Sequence, residues 1–126
     1  MSRPVVGVCV AVEAARFGPW NQDVAMVPAT LVTAVREQGW LALLITPDAR
    51  LASEPEELSA LLDGLIVPDW AAQPDAHGEL VRRLSQGAEA RGLPVVRLAE
   101  GPDATVAEYR EAIGELFSRS APARPA

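Results

Sequence analysis

Three carboxylates occupy positions from which acid–base chemistry is possible: Glu13, Asp69 and Glu100. Each follows a run of apolar residues that we predict to be a buried strand. In open α/β sheets ligands bind in the crevice beyond the carboxyl ends of the strands, so the three side chains could line one pocket. Two carboxylates held close together raise the pKa of one of them, which suits a general acid or base. The alternative is that they are solvated, or that Glu100 favours the positive end of the helix that follows it.

Residues 93–101, LPVVRLAEG, have the pattern of a short strand and a sharp glycine turn, and a helical pattern begins soon after. A strand, a tight turn and a helix in this order make a nucleophile elbow, which holds one side chain clear of the carboxyl edge of a parallel sheet. Ala99 stands at the elbow, and an alanine side chain cannot attack a carbonyl carbon. We therefore predict that Ala99 and Gly101 border a ligand crevice without supplying a nucleophile.

Two predicted loops at this edge carry aromatic side chains. Phe17 and Trp20 lie in a predicted loop at 13–23, and Trp70 lies in a second loop that follows the third strand. Exposed indoles in such loops are typical of ligand pockets or subunit contacts. We expect Phe17, Trp20 and Trp70 to contact a ligand or a partner, whereas Trp40 opens a strand and belongs to the core.

Cys9 and His77 are the remaining side chains with reactive groups. A thiol in the middle of an apolar strand is a small buried hydrophobe with a raised pKa, and no histidine lies nearby in the sequence to activate it. His77 falls in the first turn of a predicted helix, where the helix dipole disfavours the imidazolium form. We expect a core cysteine, a surface histidine, no metal site and no cofactor, because these two residues cannot hold zinc without several carboxylates.

The bulk composition limits the classes of function. The formal net charge of −6 argues against a nucleic-acid interface, since phosphate contacts need clustered positive charge. No apolar run approaches the length of about eighteen residues that a membrane span needs. A single cysteine excludes an intrachain disulfide. We expect a cytoplasmic protein that binds neither nucleic acid nor membrane.

Apolar strands alternate with helical patterns four times along the 126 residues. The strands are predicted at 4–12, 40–46, 65–67 and 94–98, and the helices at 27–38, 53–62, 75–91 and 103–117, with Ser53 and Asp103 as caps of the second and fourth helices. This order predicts one α/β domain at 1–117, a flavodoxin-like, three-layer, doubly wound parallel sheet of about four to five strands. Residues 118–126, SRSAPARPA, lack apolar periodicity and are predicted to form a disordered tail.

Three segments carry a resemblance to a known family: RPVVGV at 3–8, a helix ending at Gly39 before LALLITP at 41–47, and LDGLIVP at 62–68. In this order and spacing they resemble the class I glutamine amidotransferases, within them the γ-glutamyl-γ-aminobutyrate hydrolase-like (peptidase C26-type) group. The loop that contains Phe17 and Trp20 is also similar to the first loop of that group. The resemblance extends over residues 3–115 and corresponds to the first half of a full-length family member.

The family's catalytic features do not appear at the matching positions. Asp69 and Trp70 stand where the family has a glycine pair that shapes the oxyanion site. Ala99, Glu100 and Gly101 stand where the family's elbow has cysteine, a basic residue and glycine. The family's histidine and glutamate lie farther downstream than this sequence extends. The resemblance therefore implies the scaffold, and not an active glutamine amidotransferase or cysteine hydrolase.

Two functions follow from these observations. One is a catalytically degenerate protein that keeps the crevice and binds a small molecule or a protein partner; exposed sheet edges would make it a homodimer. The other is a repurposed enzyme of small-molecule or specialised metabolism, using acid–base or preorganisation catalysis for a cyclisation, isomerisation, dehydration or hydrolysis. An enclosed carboxylate would favour the enzyme, and solvated carboxylates would favour the binding module. A redox or phosphate-binding role lacks its glycine-rich loop after the first strand.

Overall fold

A computed structural model describes residues 3–117. The strands are β1 (Val5–Cys9), β2 (Ala11–Phe17), β3 (Trp20–Met26), β4 (Leu41–Ile45), β5 (Gly64–Pro68) and β6 (Val95–Leu98). The helices are α1 (Ala29–Glu37), α2 (Ala49–Ser53), α3 (Glu56–Leu61), α4 (Ala76–Ala90) and α5 (Val106–Ile113), and Asp69–Ala71 forms one 3₁₀ turn. None of the helices in this part of the chain combines the length and apolar character that crossing a membrane requires. The tail predicted at 118–126 lies outside the described residues.

Four strands form one parallel sheet in the order β4-β1-β5-β6. Gly7 of β1 lies opposite Leu43 of β4 on one side and opposite Leu65 of β5 on the other. β5 pairs in turn with β6, where Ile66 lies opposite Val96. Numbered along the chain, the parallel strands stand in the order 2-1-3-4, which is the flavodoxin order. The predicted fold class is confirmed.

Helices cover both faces of the sheet because its inner strands are apolar on both sides. α1 and α5 pack on one face around Leu31 and Ile113, and α3 and α4 pack on the other around Leu84. Trp40 is buried in the first of these clusters, and its ring meets that of Phe117 edge-on with 5.0 Å between the centroids. The prediction that Trp40 belongs to the core is confirmed.

The prediction of a loop at 13–23 is wrong. These residues belong to an antiparallel hairpin, β2–β3, that forms a separate two-stranded sheet, and the first predicted strand is correspondingly divided after Cys9. Gly18 and Pro19 make the turn, and the φ of +53° at Gly18 fits the glycine-first pattern of a type II′ turn. The segment has a loop-like sequence because alanine, glutamate, asparagine and aspartate have low strand propensity.

Two helix starts also differ from the prediction. Ser53 does not cap the predicted second helix, because it ends α2, a separate short helix whose start the Asp48 carboxylate caps by accepting hydrogen bonds from two backbone N–H groups. The helix predicted to begin at Ser53 is α3, which begins after Pro55 without a side-chain cap. α5 is capped by Thr105 and not by Asp103. The Thr105 hydroxyl accepts from the Glu108 N–H at 3.1 Å, and the Glu108 carboxylate accepts from the Thr105 N–H at 2.9 Å. This capping box pairs two donors that a helix start otherwise leaves free.

Candidate functional site

The strand order changes direction beside β1, since β4 lies on one side of it and β5 on the other. Such a switch point leaves a crevice outside the carboxyl ends of the two strands, and open α/β sheets bind ligands there. In this chain β1 is followed by Ala11 and the hairpin, and β5 is followed by the 3₁₀ turn that contains Trp70. These two connections supply the walls of the candidate site.

Trp70 lies at the end of the sheet, where it packs against the hydrophobic clusters on both faces. The residue is half-buried, and its indole Nε1 is a buried atom without a hydrogen bond of standard geometry to any residue in 3–117. Its neighbour is the hydroxyl of Tyr109. Burial raises the pKa of Tyr109, the Trp70 indole opposes that shift, and nearby carboxylates, first Asp103 and then Glu100, add to it.

Two cavities lie against Trp70, and they share Ala11, Glu13 and Trp70 as a common wall. The apolar compartment, of about 210 Å³, is otherwise lined by Met26, Val27, Pro28 and Pro102. The polar compartment, of about 360 Å³, is otherwise lined by Val12, Ala71, Gln73, Pro74, Asp75, His77 and Gly78. Small-molecule pockets typically measure roughly 300–1,000 Å³, and the polar compartment alone lies within that range.

Glu13 is the predicted catalytic candidate that lies at this crevice. It sits in β2 opposite Val24 of β3, and its exposed side chain borders both compartments. Its side chain makes no hydrogen bond or ion pair within the described part of the chain. A carboxylate in this position is available to a ligand as a hydrogen-bond acceptor or as a counter-charge.

Asp69 and Glu100 do not join Glu13. Asp69 is exposed and borders a different cavity of about 380 Å³, together with Arg82 and Arg97. Glu100 is half-buried and borders neither this cavity nor the two compartments. The structure therefore does not gather the three carboxylates into one pocket.

The elbow residues Ala99 and Gly101 are exposed after β6, and neither lines a compartment, although the next residue, Pro102, does. The hydroxyl of the buried Tyr109 donates a hydrogen bond to the carbonyl oxygen of Gly101, which ties the elbow to α5. The helical pattern predicts that Tyr109 lies in the core, but it does not predict this hydrogen bond to the elbow. The sequence signal that could have indicated it is a tyrosine among aliphatic core residues, because its hydroxyl needs a hydrogen-bond partner.

Phe17 and Trp20 lie at the tip of the hairpin, with 6.4 Å between their ring centroids. They are 60% and 48% exposed, and they border an open depression with Arg16, Gly18 and Asn21. Neither ring lines a compartment of the crevice. The structure thus separates these two predicted ligand-contacting residues from Trp70 and gives them a surface of their own.

Cys9 is fully buried in β1, and burial raises the pKa of its thiol to about 12. A thiol with this pKa stays protonated at neutral pH and is a poor nucleophile. His77 is exposed in the first turn of α4 and borders the polar compartment. Among residues 3–117 there is no group of three or more metal-binding side chains that could hold an ion.

Sequence reasoning missed the apolar walls of the crevice, Met26, Val27, Pro28 and Pro102. The first three stand where the hairpin returns to the sheet and α1 begins. These residues come together because β3 pairs with β2 in a fixed register, and the prediction of a loop specifies no pairing register. The local signal was the apolar run VAMVP at 24–28, which ends a polar segment.

No protein-family model matches the chain. The chain is similar to a protein of Mycobacterium tuberculosis named "Putative glutamine amidotransferase Rv2859c", with 28% identity over 119 residues. The alignment covers 79% of this chain and 38% of that relative, so the chain spans well under half of the relative's length. This similarity supports a glutamine amidotransferase-like relationship, and the relative's name indicates no narrower group.

Proposed function

We propose that this chain is a small-molecule-binding module on a glutamine amidotransferase-like scaffold. The observation that carries the proposal is the pair of compartments at the switch point, with Trp70 and Glu13 in their common wall. An aromatic ring, a carboxylate and apolar walls converge there, which is the usual composition of a ligand pocket. The γ-glutamyl-γ-aminobutyrate hydrolase-like group is the proposed origin of the scaffold, on the sequence resemblance.

We propose that the chain does not hydrolyse amides through a cysteine. Ala99 stands at the elbow without a nucleophile, and burial raises the pKa of Cys9 to about 12. We expect no release of ammonia from glutamine, and no hydrolysis of γ-glutamyl amides, above the rate with the Cys9→Ala variant. A substantial activity that Cys9→Ala abolishes would overturn this part of the proposal.

The alternative of a repurposed acid–base enzyme calls for a carboxylate that is enclosed in a pocket. Glu13 and Asp69 are exposed and border different cavities, and Glu100 borders neither of them. This distribution supports the binding module over the enzyme.

Native mass spectrometry of protein purified without added ligand tests the binding role, together with a thermal-shift screen of metabolites. We expect at least one small molecule to bind the wild-type protein and the Trp20→Ala variant but not the Trp70→Ala variant. Trp20→Ala is the matched control because it also removes an indole, from the hairpin tip. Binding that both variants retain, or that neither the wild type nor the variants show, would contradict the proposed site.

We also propose that two copies of the chain pair through the free edge of β4. Among the described strands β4 pairs only with β1, and Leu41 and Leu44 on it are 37% and 52% exposed. The opposite edge strand, β6, carries the exposed Arg97 in an ion pair with Glu89. Charged side chains protect an edge from pairing, so β4 is the edge more open to a second copy.

Sedimentation velocity tests the proposed pairing. We expect the wild-type protein to be a dimer at micromolar concentration and Leu44→Glu to be a monomer. Leu61→Glu is the matched control, because Leu61 is 58% exposed on α3 and lies on no strand. A wild-type monomer at high concentration, or equal dissociation by both variants, would refute pairing through β4.

A further inference from the structure

We infer that the ligand of this crevice is a small organic ammonium ion whose hydrocarbon group fills the apolar compartment. The inference rests on the proposed binding function, because it names the ligand class of the same site. It depends on three features: an apolar interior, one carboxylate at its border and an indole in the same wall.

The apolar compartment suits a short hydrocarbon group. Apart from Glu13, the side chains that line it carry no charge, and its volume of about 210 Å³ admits an aliphatic chain or one ring. Prolines, Met26 and Val27 offer water no side-chain hydrogen-bond donor. Displacement of poorly held water by an apolar group favours binding.

Glu13 supplies the charge that selects the head group. Its carboxylate borders both compartments and has no partner among the described residues. No arginine from residues 3–117 lines either compartment, whereas Arg82 and Arg97 both line the separate cavity at Asp69. An anionic head group would stand beside an unpaired carboxylate, and an ammonium group would be paired with it.

Trp70, like Glu13, favours a cationic head group. It shares the common wall with that carboxylate, and an indole attracts cations more strongly than any other aromatic side chain. A cation held at this wall gains from the negative carboxylate and from the electron-rich ring together. A neutral or anionic head group gains from neither charge interaction.

The N-terminus of α4, which borders the polar compartment, is the feature that favours an anion. Asp75 already places a carboxylate there, since its Oδ1 accepts a hydrogen bond from the Gly78 N–H at 2.7 Å. A helix N-terminus carries the equivalent of roughly half a positive charge, and the Asp75 carboxylate carries a full negative one. The polar compartment therefore also favours a cation.

Isothermal titration calorimetry at low salt tests the inference with three probes that share one tail: hexylammonium, hexan-1-ol and hexanoate. We expect hexylammonium to bind about fivefold more tightly than hexan-1-ol, and hexanoate to bind most weakly. Glu13→Gln should reduce the preference for ammonium to the part that Trp70 and Asp75 supply, and should affect the affinity for hexan-1-ol much less. Glu111→Gln, which neutralises an exposed carboxylate on α5, is the matched control and should change no affinity.

Met26→Ser tests the position of the tail. Met26 is 39% exposed, so the substitution spares the core and should weaken all three probes by a similar factor. Unchanged affinities in Met26→Ser would place the tail elsewhere and overturn the inference.

Four other results would overturn the inference. Equal binding of the three probes, or an ammonium preference of undiminished size in Glu13→Gln, would exclude ammonium selection by Glu13 and leave the small-molecule-binding function standing. Preferential binding of hexanoate would assign the head group to the N-terminus of α4. Absence of binding by every probe would also overturn the inference. The proposed binding function would then be tested only by comparing ligand binding to Trp70→Ala and Trp20→Ala.

Discussion

Trp70 connects the stability of this chain to its proposed function. The ring adds apolar surface to both hydrophobic clusters, and it also stands in the wall between the two compartments. A side chain that packs against both faces at the end of a sheet has little freedom, so the wall is set before a ligand arrives. Such preorganisation reduces the entropic cost of binding.

Cys9 should resist alkylation in the folded protein. Because burial raises the pKa of its thiol to about 12, the thiolate fraction at pH 8 is roughly 10³-fold lower than for an unperturbed cysteine. We expect iodoacetamide to modify Cys9 only after unfolding in urea, as followed by mass spectrometry. The urea-unfolded chain is the control, and comparable labelling rates in the native and unfolded protein would contradict the core position.

Tyr109→Phe should destabilise the fold by about 1 kcal/mol, because it deletes the hydrogen bond from the phenol to the Gly101 carbonyl and keeps the ring. Urea denaturation would measure this loss of stability, and the dependence of the unfolding free energy on urea concentration should stay nearly unchanged. The elbow should also become more mobile, so the buried Ala104 amide, which donates to the Gly101 carbonyl, should exchange faster with deuterium. Unchanged exchange at Ala104 would show that the phenol does not hold the elbow.

Individual residues were predictable where a local pattern decides the environment. Cys9 lies inside an apolar run and Trp40 beside one, and both are buried as expected. Glu13 and Trp70 were predicted to stand at the correct edge of the sheet. Their common wall was not predictable, because it requires the register of a hairpin that the sequence does not indicate.

The hairpin β2–β3 is the element that shapes the crevice. Two strands alone are marginally stable in water and need support from packing. In β2 only Ala11, at the base, is buried, and in β3 only Val24 is partly buried while the other residues are exposed. The base therefore anchors the hairpin against the 3₁₀ turn and α4, and the exposed tip with Phe17 and Trp20 is left for contacts outside the described chain.

The capping box of α5 should make stability depend on acid pH. Hydrogen bonds from the backbone N–H and the side chain of Thr105 lower the pKa of Glu108. A carboxylate whose folded-state pKa is lowered stabilises the protein above its unfolded pKa, about 4.3, and this contribution is lost as pH falls through the folded-state value. We expect the melting temperature of wild type to exceed that of Glu108→Gln at pH 7 and the difference to shrink toward pH 3.

Glu111→Gln is the control for this experiment, because it removes the same charge from the same helix without removing a cap. The difference in melting temperature between wild type and Glu111→Gln should not shrink in the same way from pH 7 to pH 3. Thr105→Ala should cost about 1 kcal/mol at neutral pH, as expected for an N-terminal cap. A difference between wild type and Glu108→Gln that stays constant from pH 7 to pH 3 would contradict the lowered pKa.

At the scale of the whole molecule, the strand order produces the site. The alternation of apolar runs and helical patterns was sufficient to predict the parallel sheet, because buried parallel strands and their crossover helices have strong periodicities. The switch point beside β1 then fixes where a crevice can form. The lining of that crevice comes from the hairpin and its connection to α1, from the segment between β5 and the first turn of α4, and from Pro102 after the elbow. These short stretches carry no comparable period.

We propose that a small molecule binds at the wall formed by Trp70 and Glu13. The chain has three tryptophans, and their indole N–H groups are separate probes of the core, the hairpin tip and the crevice. A two-dimensional ¹H–¹⁵N correlation spectrum, recorded during titration with cationic, neutral and anionic fragments, observes all three at once. We expect bound fragments to shift the Trp70 indole resonance and to leave those of Trp20 and Trp40 in place. Fragments that shift only Trp20, or that shift no indole resonance, would contradict the proposal.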